Sequence, residues 1–136
     1  MQELIVPYGS TLAAFVCLGG LFLVQALVSD VAAIRAGHVP GMPVASGHDH
    51  FLFRATRAQA NTNENLGVFL LLCLSALLLG ASPWWTNLLA WTFVLSRLAH
   101  MLAYYGDQRM LRSAMFSVSL GSLIGLFVVA IATLGS

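Results

Sequence analysis

The run Asn65–Ser96, NLGVFLLLCLSALLLGASPWWTNLLAWTFVLS, decides the fold: 32 residues without one charged side chain. A helix needs about 20 residues to cross about 30 Å of hydrocarbon. The run is therefore too long for one span and too short for two. Gly80-Ala81-Ser82-Pro83 interrupts it with turn chemistry. Trp84 and Trp85 follow, amphipathic rings of the kind that sit at a membrane–water boundary. Two helices meet at this turn, and both must extend beyond the run, over about 58–81 and about 84–105.

Two further charge-free runs flank the first. Leu4–Ser29 and Ser113–Ser136 hold 26 and 24 residues, one span each, at about 5–30 and about 112–134. The expected architecture is an all-α integral membrane protein: a single four-transmembrane-helix bundle over residues 1–136. Composition agrees. Hydrophobic residues make up 59% and charged residues 8% of the chain, against about 25% charged in a soluble domain. A nucleic-acid binder would carry a basic stripe, and the net charge here is +1. The stretch Ala36–Phe53, with Pro40, Gly41, Pro43 and Gly47, reads as a loop. The chain's start, with Glu3 and no basic residue, does not read as a cleaved signal peptide.

All six basic residues are arginine: Arg35, Arg54, Arg57, Arg97, Arg109 and Arg112. Arginine suits bidentate recognition of carboxylates. All six lie in or beside the loops after the first and third spans, so those loops are expected in the cytoplasm and both termini outside. Short loops suit a multi-pass protein of a bacterial inner membrane. Cys17 and Cys73 lie on separate apolar helices and read as buried packing residues.

Ionisable residues within a span are costly and mark function. Arg54, Arg57, Asn61 and Glu64, with Gln59 beside them, fall within about 80° of one helix face. Arg97, His100 and Tyr104 fall within about 60° on the next helix. Counted from the outer turn, Glu64 and His100 both lie at about 24 Å. Two neighbouring antiparallel helices thus carry polar stripes at one depth. One reading is structural, with Glu64 pairing Arg97 or Arg57 to hold the bundle. The excess of arginine over the single acid favours an anion-binding site, while Arg54 and Arg109, nearest the water, suit snorkelling.

The segment Arg57-Ala-Gln-Ala-Asn61-Thr-Asn-Glu64-Asn before an apolar helix resembles the signature of the MAPEG family, the membrane-associated proteins of eicosanoid and glutathione metabolism. Arg97-Leu-Ala-His100-Met-Leu-Ala-Tyr104, followed by Arg112-Ser113, resembles the family's third helix and the start of its fourth. The resemblance implies a homotrimer with glutathione bound between subunits on the cytoplasmic side. It implies glutathione contacts from Arg57, Gln59, Asn61, Glu64, His100 and Tyr104, with Arg97 bordering the site and Arg35 contributing from the end of the first helix. It makes Arg112 the thiol-activating residue, with Arg109 as rival. Ala60 and Asn65 depart from the prostaglandin-forming and leukotriene-forming members, respectively.

The residue inventory fits that ligand. Two carboxylates call for arginines and amide donors, supplied by Arg57, Arg35 and Asn61. The ammonium calls for Glu64, and the thiol needs a cation to favour its thiolate, the nucleophilic form. The expected activity is a membrane glutathione transferase or peroxidase acting on a hydrophobic acceptor from the bilayer, with no metal and no nucleic-acid partner. A non-catalytic glutathione-binding or structural trimer is the alternative, and a small four-helix exporter a more distant one. His48-Asp49-His50 offers too few ligands for a zinc site and reads as solvated loop polarity. Gly19-Gly20, and Gly121 with Gly125, read as places of close helix packing.

Overall fold

A computed structural model describes residues 2–45 and 47–135. Met1, Ser46 and Ser136, which fall within the expected 1–136 unit, lie outside the described residues. The chain is all helical: α1 (Gln2–Ile5), a 3₁₀ turn at Val6–Tyr8, then α2 (Gly9–Arg35), α3 (Phe51–Leu78), α4 (Pro83–Tyr105) and α5 (Arg109–Leu134).

The long helices exceed the expected spans mostly at the arginine-rich end. Helix α2 runs on to Arg35 instead of stopping near residue 30, because nothing breaks it before Gly37. Helix α3 starts at Phe51, so the loop expected over Ala36–Phe53 ends at His50. Helix α5 starts at Arg109. At 1.5 Å per residue, the 28 residues of α3 span about 42 Å, more than the hydrocarbon core requires. The excess length lies in its charged first turns, where Arg54 donates to the carbonyls of His48 and Asp49.

Three helices end in one device. Gly37, Gly80 and Asp107 have positive φ, at 64°, 69° and 52°. The following amides reach back to Ala33 O, Ala76 O and Ala103 O at 3.0, 2.9 and 2.7 Å. This is the Schellman closure, which satisfies the last carbonyls of each helix. The second instance makes the tight α3–α4 turn, and Pro83 begins α4 at once.

Three helices, Val6–Arg35, Phe51–Leu78 and Arg109–Leu134, have the length and apolar composition to cross a membrane. Helix α4 does not meet that standard, although four spans are expected. The reason is its place in the bundle. It buries Thr86, Ser96, Arg97 and His100 against the other helices, so its polar residues need no apolar composition around them. The outer faces of its neighbours keep Leu23, Leu27, Leu71, Leu78, Ile124 and Ile131 exposed. So much apolar surface suits lipid and not water: the chain is an integral membrane protein.

All four long helices meet in one core of Ala14, Leu18, Phe69, Cys73, Phe93, Leu123 and Leu126. Phe69 and Phe93 stack with centroids 4.3 Å apart. Cys73 is buried, whereas Cys17 is exposed, contrary to its expected packing role. Gly125 sits against Leu89 of α4, whereas a Cβ added at Gly19, Gly20 or Gly121 would meet nothing within 4 Å among the described residues, so of these four Gly125 is the one in close packing here. At the end away from the arginines, Asn87 accepts from the backbone N–H and hydroxyl of Thr11 at 2.9 and 2.7 Å and donates to Pro7 O at 3.0 Å. It thereby satisfies an otherwise orphaned amide in the first turn of α2.

Candidate functional site

Helices α3 and α4, antiparallel across their tight turn, bring the two polar stripes together. Arg97 is 0% exposed. Its Nη1 donates to Asn61 Oδ1 at 2.7 Å and its Nη2 donates to Ser119 Oγ on α5. Its guanidinium lies between the rings of Phe93 and Phe116, at 5.7 and 5.8 Å from their centroids, within cation–π range. One arginine thus joins three helices. Guanidinium only donates, so the Asn61 oxygen must face Arg97. The Asn61 Nδ2 amide then points away from Arg97, with both hydrogens available.

Beyond that clasp lies a cavity of about 270 Å³ lined by Asn61, His100, Tyr104, Arg112, Ser113, Phe116 and Ser117. His100 is 2% exposed, its ring edge-on to Tyr104 at 5.0 Å, and its Nδ1 has no hydrogen-bond partner among the described residues. The Arg112 guanidinium stands 4.6 Å from the Tyr104 ring centroid. A cation, an amide donor, an imidazole and a phenol therefore border one space. These are the groups that hold an anionic or thiol-bearing ligand.

Asn61, His100, Tyr104 and Arg112 share this cavity; the other expected contacts do not line it. Arg97 lies beneath it, its terminal nitrogens engaged. Arg57 and Glu64 are exposed and Gln59 is half-buried. Arg35 lines a separate apolar groove of about 610 Å³ with Leu27, Val31, Phe51 and Leu52. Arg109 is exposed at the first turn of α5. The interhelical salt bridge of Glu64 with Arg97 or Arg57 is not made: among the described residues the acid–base contact within 4 Å is His50 Nε2 with Asp49 Oδ2, at 3.2 Å. Arg54 does not simply snorkel, since it binds the His48 and Asp49 carbonyls and, at 3.5 Å, Tyr105 O.

Phe116 and Ser117 join the cavity without having been expected there, beside Ser113 of the Arg112-Ser113 motif. Their signal was present: with Arg109 and Arg112 they follow helical i, i+3, i+4 spacing on α5. His48 was read as solvated, yet its Nδ1 lies 3.1 Å from Arg112 Nη1. His50, by contrast, is exposed.

The fold and this cavity define a helical-bundle membrane protein with a polar site at its arginine-rich end. The sequence model of the MAPEG family matches residues 11–132; the chain belongs to that family. The family is one of glutathione-related membrane proteins that includes transferases, peroxidases and non-catalytic members. No curated protein sequence matches the chain.

Proposed function

We propose that this chain is a glutathione transferase or peroxidase spanning the membrane four times, with its arginine-rich end in the cytoplasm. The observation that carries this reading is the Arg112 cation beside Tyr104, in one cavity with the Asn61 amide and His100. When bound, glutathione supplies the thiol that adds to a hydrophobic electrophile or, oxidised together with a second glutathione to the disulfide, reduces a lipid hydroperoxide to its alcohol and water.

The residues divide the work by chemistry. Arg112 favours the thiolate over the thiol by placing a fixed positive charge beside it. Asn61 Nδ2, oriented by Arg97, donates to a carboxylate or peptide carbonyl. His100 and Tyr104 hold the peptide or donate to sulfur. Arg57 and Arg35 take the carboxylates, Glu64 takes the ammonium, and Gln59 supplies a further amide.

Two features support a site shared between copies of the chain. The cavity of about 270 Å³ is small beside the roughly 300–1,000 Å³ of typical ligand sites. Arg35 and Glu64 stand outside it, and exposed Glu64 and Arg57 are poorly suited to lipid. A second copy covers these residues and brings them to the ligand, in a homotrimer. The hydrophobic acceptor reaches the thiolate from the bilayer.

The test is isothermal titration of detergent-purified protein with glutathione, followed by turnover of a model aryl halide and of a lipid hydroperoxide. Saturable binding with turnover of either acceptor is the expected result. Binding without turnover would move the chain to the non-catalytic reading, and no binding at millimolar glutathione would remove both.

A further inference from the structure

We propose that His48 is a positioning residue for Arg112: its neutral Nδ1 accepts a guanidinium N–H and fixes the cation over the Tyr104 ring. The proposal rests on reading Arg112 as the thiol-activating group.

The loop before α3 is built to deliver this imidazole. The amide of His50 closes a turn onto Gly47 O at 3.2 Å. Arg54, one turn into α3, donates to the carbonyls of His48 and Asp49 and reaches Tyr105 O. The loop end is thereby tied to the end of α4, beside Tyr104. The His48 ring then packs edge-on against Phe53 at 5.1 Å and near-parallel to Tyr104 at 6.2 Å. Backbone and ring are both held, and the remaining freedom of the side chain is spent on one contact: Nδ1 to Arg112 Nη1, at 3.1 Å.

The chemistry of that contact is one-sided. Arginine stays protonated and offers only donors. His48 must therefore accept through Nδ1, which places its proton on Nε2. Arg112 has no acidic partner within 4 Å among the described residues. Two neutral groups, the Tyr104 ring face and the His48 nitrogen, orient the cation without neutralising it. A carboxylate in place of His48 would hold the guanidinium equally well but cancel much of the field at the thiol. A neutral acceptor leaves the charge available to a thiolate.

The test compares wild type, His48→Phe, His48→Asn and Arg112→Ala. Phenylalanine keeps the ring packing and removes the acceptor; asparagine keeps an acceptor near the Nδ1 position. Two readouts are needed: the imidazole ¹⁵N shifts of His48 in the ligand-free protein, and the thiolate ultraviolet absorbance of bound glutathione as a function of pH. The expected tautomer is neutral with the proton on Nε2. His48→Phe should lower the thiolate fraction at neutral pH and kcat by about tenfold or more, the scale of one hydrogen bond to a charged group, with a smaller effect on KM for glutathione. His48→Asn should restore most of both. A proton on Nδ1, a His48→Phe protein equal to wild type, or equal losses in both His48 variants would overturn the assignment. If Arg112→Ala itself leaves the thiolate absorbance intact, the reading of Arg112 fails instead, and the role of His48 falls with it.

Discussion

Arg97 Nη1 and Asn61 Oδ1 lie 2.7 Å apart across the α3–α4 interface, so a wholly buried cation is held by a neutral amide and not by an acid. The direction of this bond fixes the Asn61 side chain and leaves its Nδ2 as the available donor. It also sets an order of stabilities. Asn61→Leu removes one of the two hydrogen-bond acceptors of a buried charge, leaving Ser119, at a cost of about 1.5–3 kcal/mol. The double variant Asn61→Leu/Arg97→Met removes the charge as well and should recover part of that loss. Thermal unfolding in detergent reads the order; a double variant less stable than Asn61→Leu would contradict it.

Glu64 makes no ion pair with another described residue of its own chain, and in the proposed site its carboxylate takes the ammonium of glutathione. Glu64→Gln should weaken glutathione binding about ten- to a hundredfold, the loss of one charge-assisted bond. The same substitution should leave binding of a deaminated glutathione analogue nearly unchanged. Equal weakening for both ligands would show that Glu64 acts elsewhere.

Asn87 works at the opposite end of the bundle, where it accepts from Thr11 N at 2.9 Å and donates to Pro7 O at 3.0 Å. Asn87→Leu should lower unfolding stability by about 1–3 kcal/mol through the groups it orphans. KM for glutathione should stay at the wild-type value. A change confined to KM would place Asn87 in the ligand path instead.

Gly125 marks a close approach of α5 to α4, since a Cβ there would lie 2.9 Å from Leu89 Cδ2. The Leu89 tip can turn aside for one methyl group, so Gly125→Ala should cost less than about 1 kcal/mol. Gly125→Val, which adds branched bulk against the same tip, should cost about 1–3 kcal/mol. Differential scanning of the two variants separates them; equal midpoints would mean that the contact gives way freely.

The helical architecture was legible because charge-free runs and the Gly80–Pro83 turn are local signals. Helix ends were less so. Asp30 does not stop α2, and α3 begins before residue 58 with Arg54 donating to the carbonyls of His48 and Asp49, a capping contact that the length of an apolar run does not show. The stripes of α3 and α4 were readable from spacing, and the Arg97–Asn61 bond joins them. Long-range partners were not readable. Ser119 lies 22 residues from Arg97, and His48 lies 64 from Arg112; no local pattern announces either pairing. His48 was misread because its neighbours Asp49 and His50 are exposed and the loop composition averages over all three.

The central claim is that Arg112, and not Arg109, activates the glutathione thiol. A pH titration of thiolate absorbance for glutathione bound to wild type, Arg112→Ala and Arg109→Ala tests it most directly. In wild type the bound thiol should ionise well below about 8.5, the ordinary cysteine value. Arg112→Ala should raise that midpoint by about one to three pH units, the effect of losing an adjacent opposite charge, while Arg109→Ala should leave it in place. A midpoint unchanged in Arg112→Ala, or raised only in Arg109→Ala, would contradict the account.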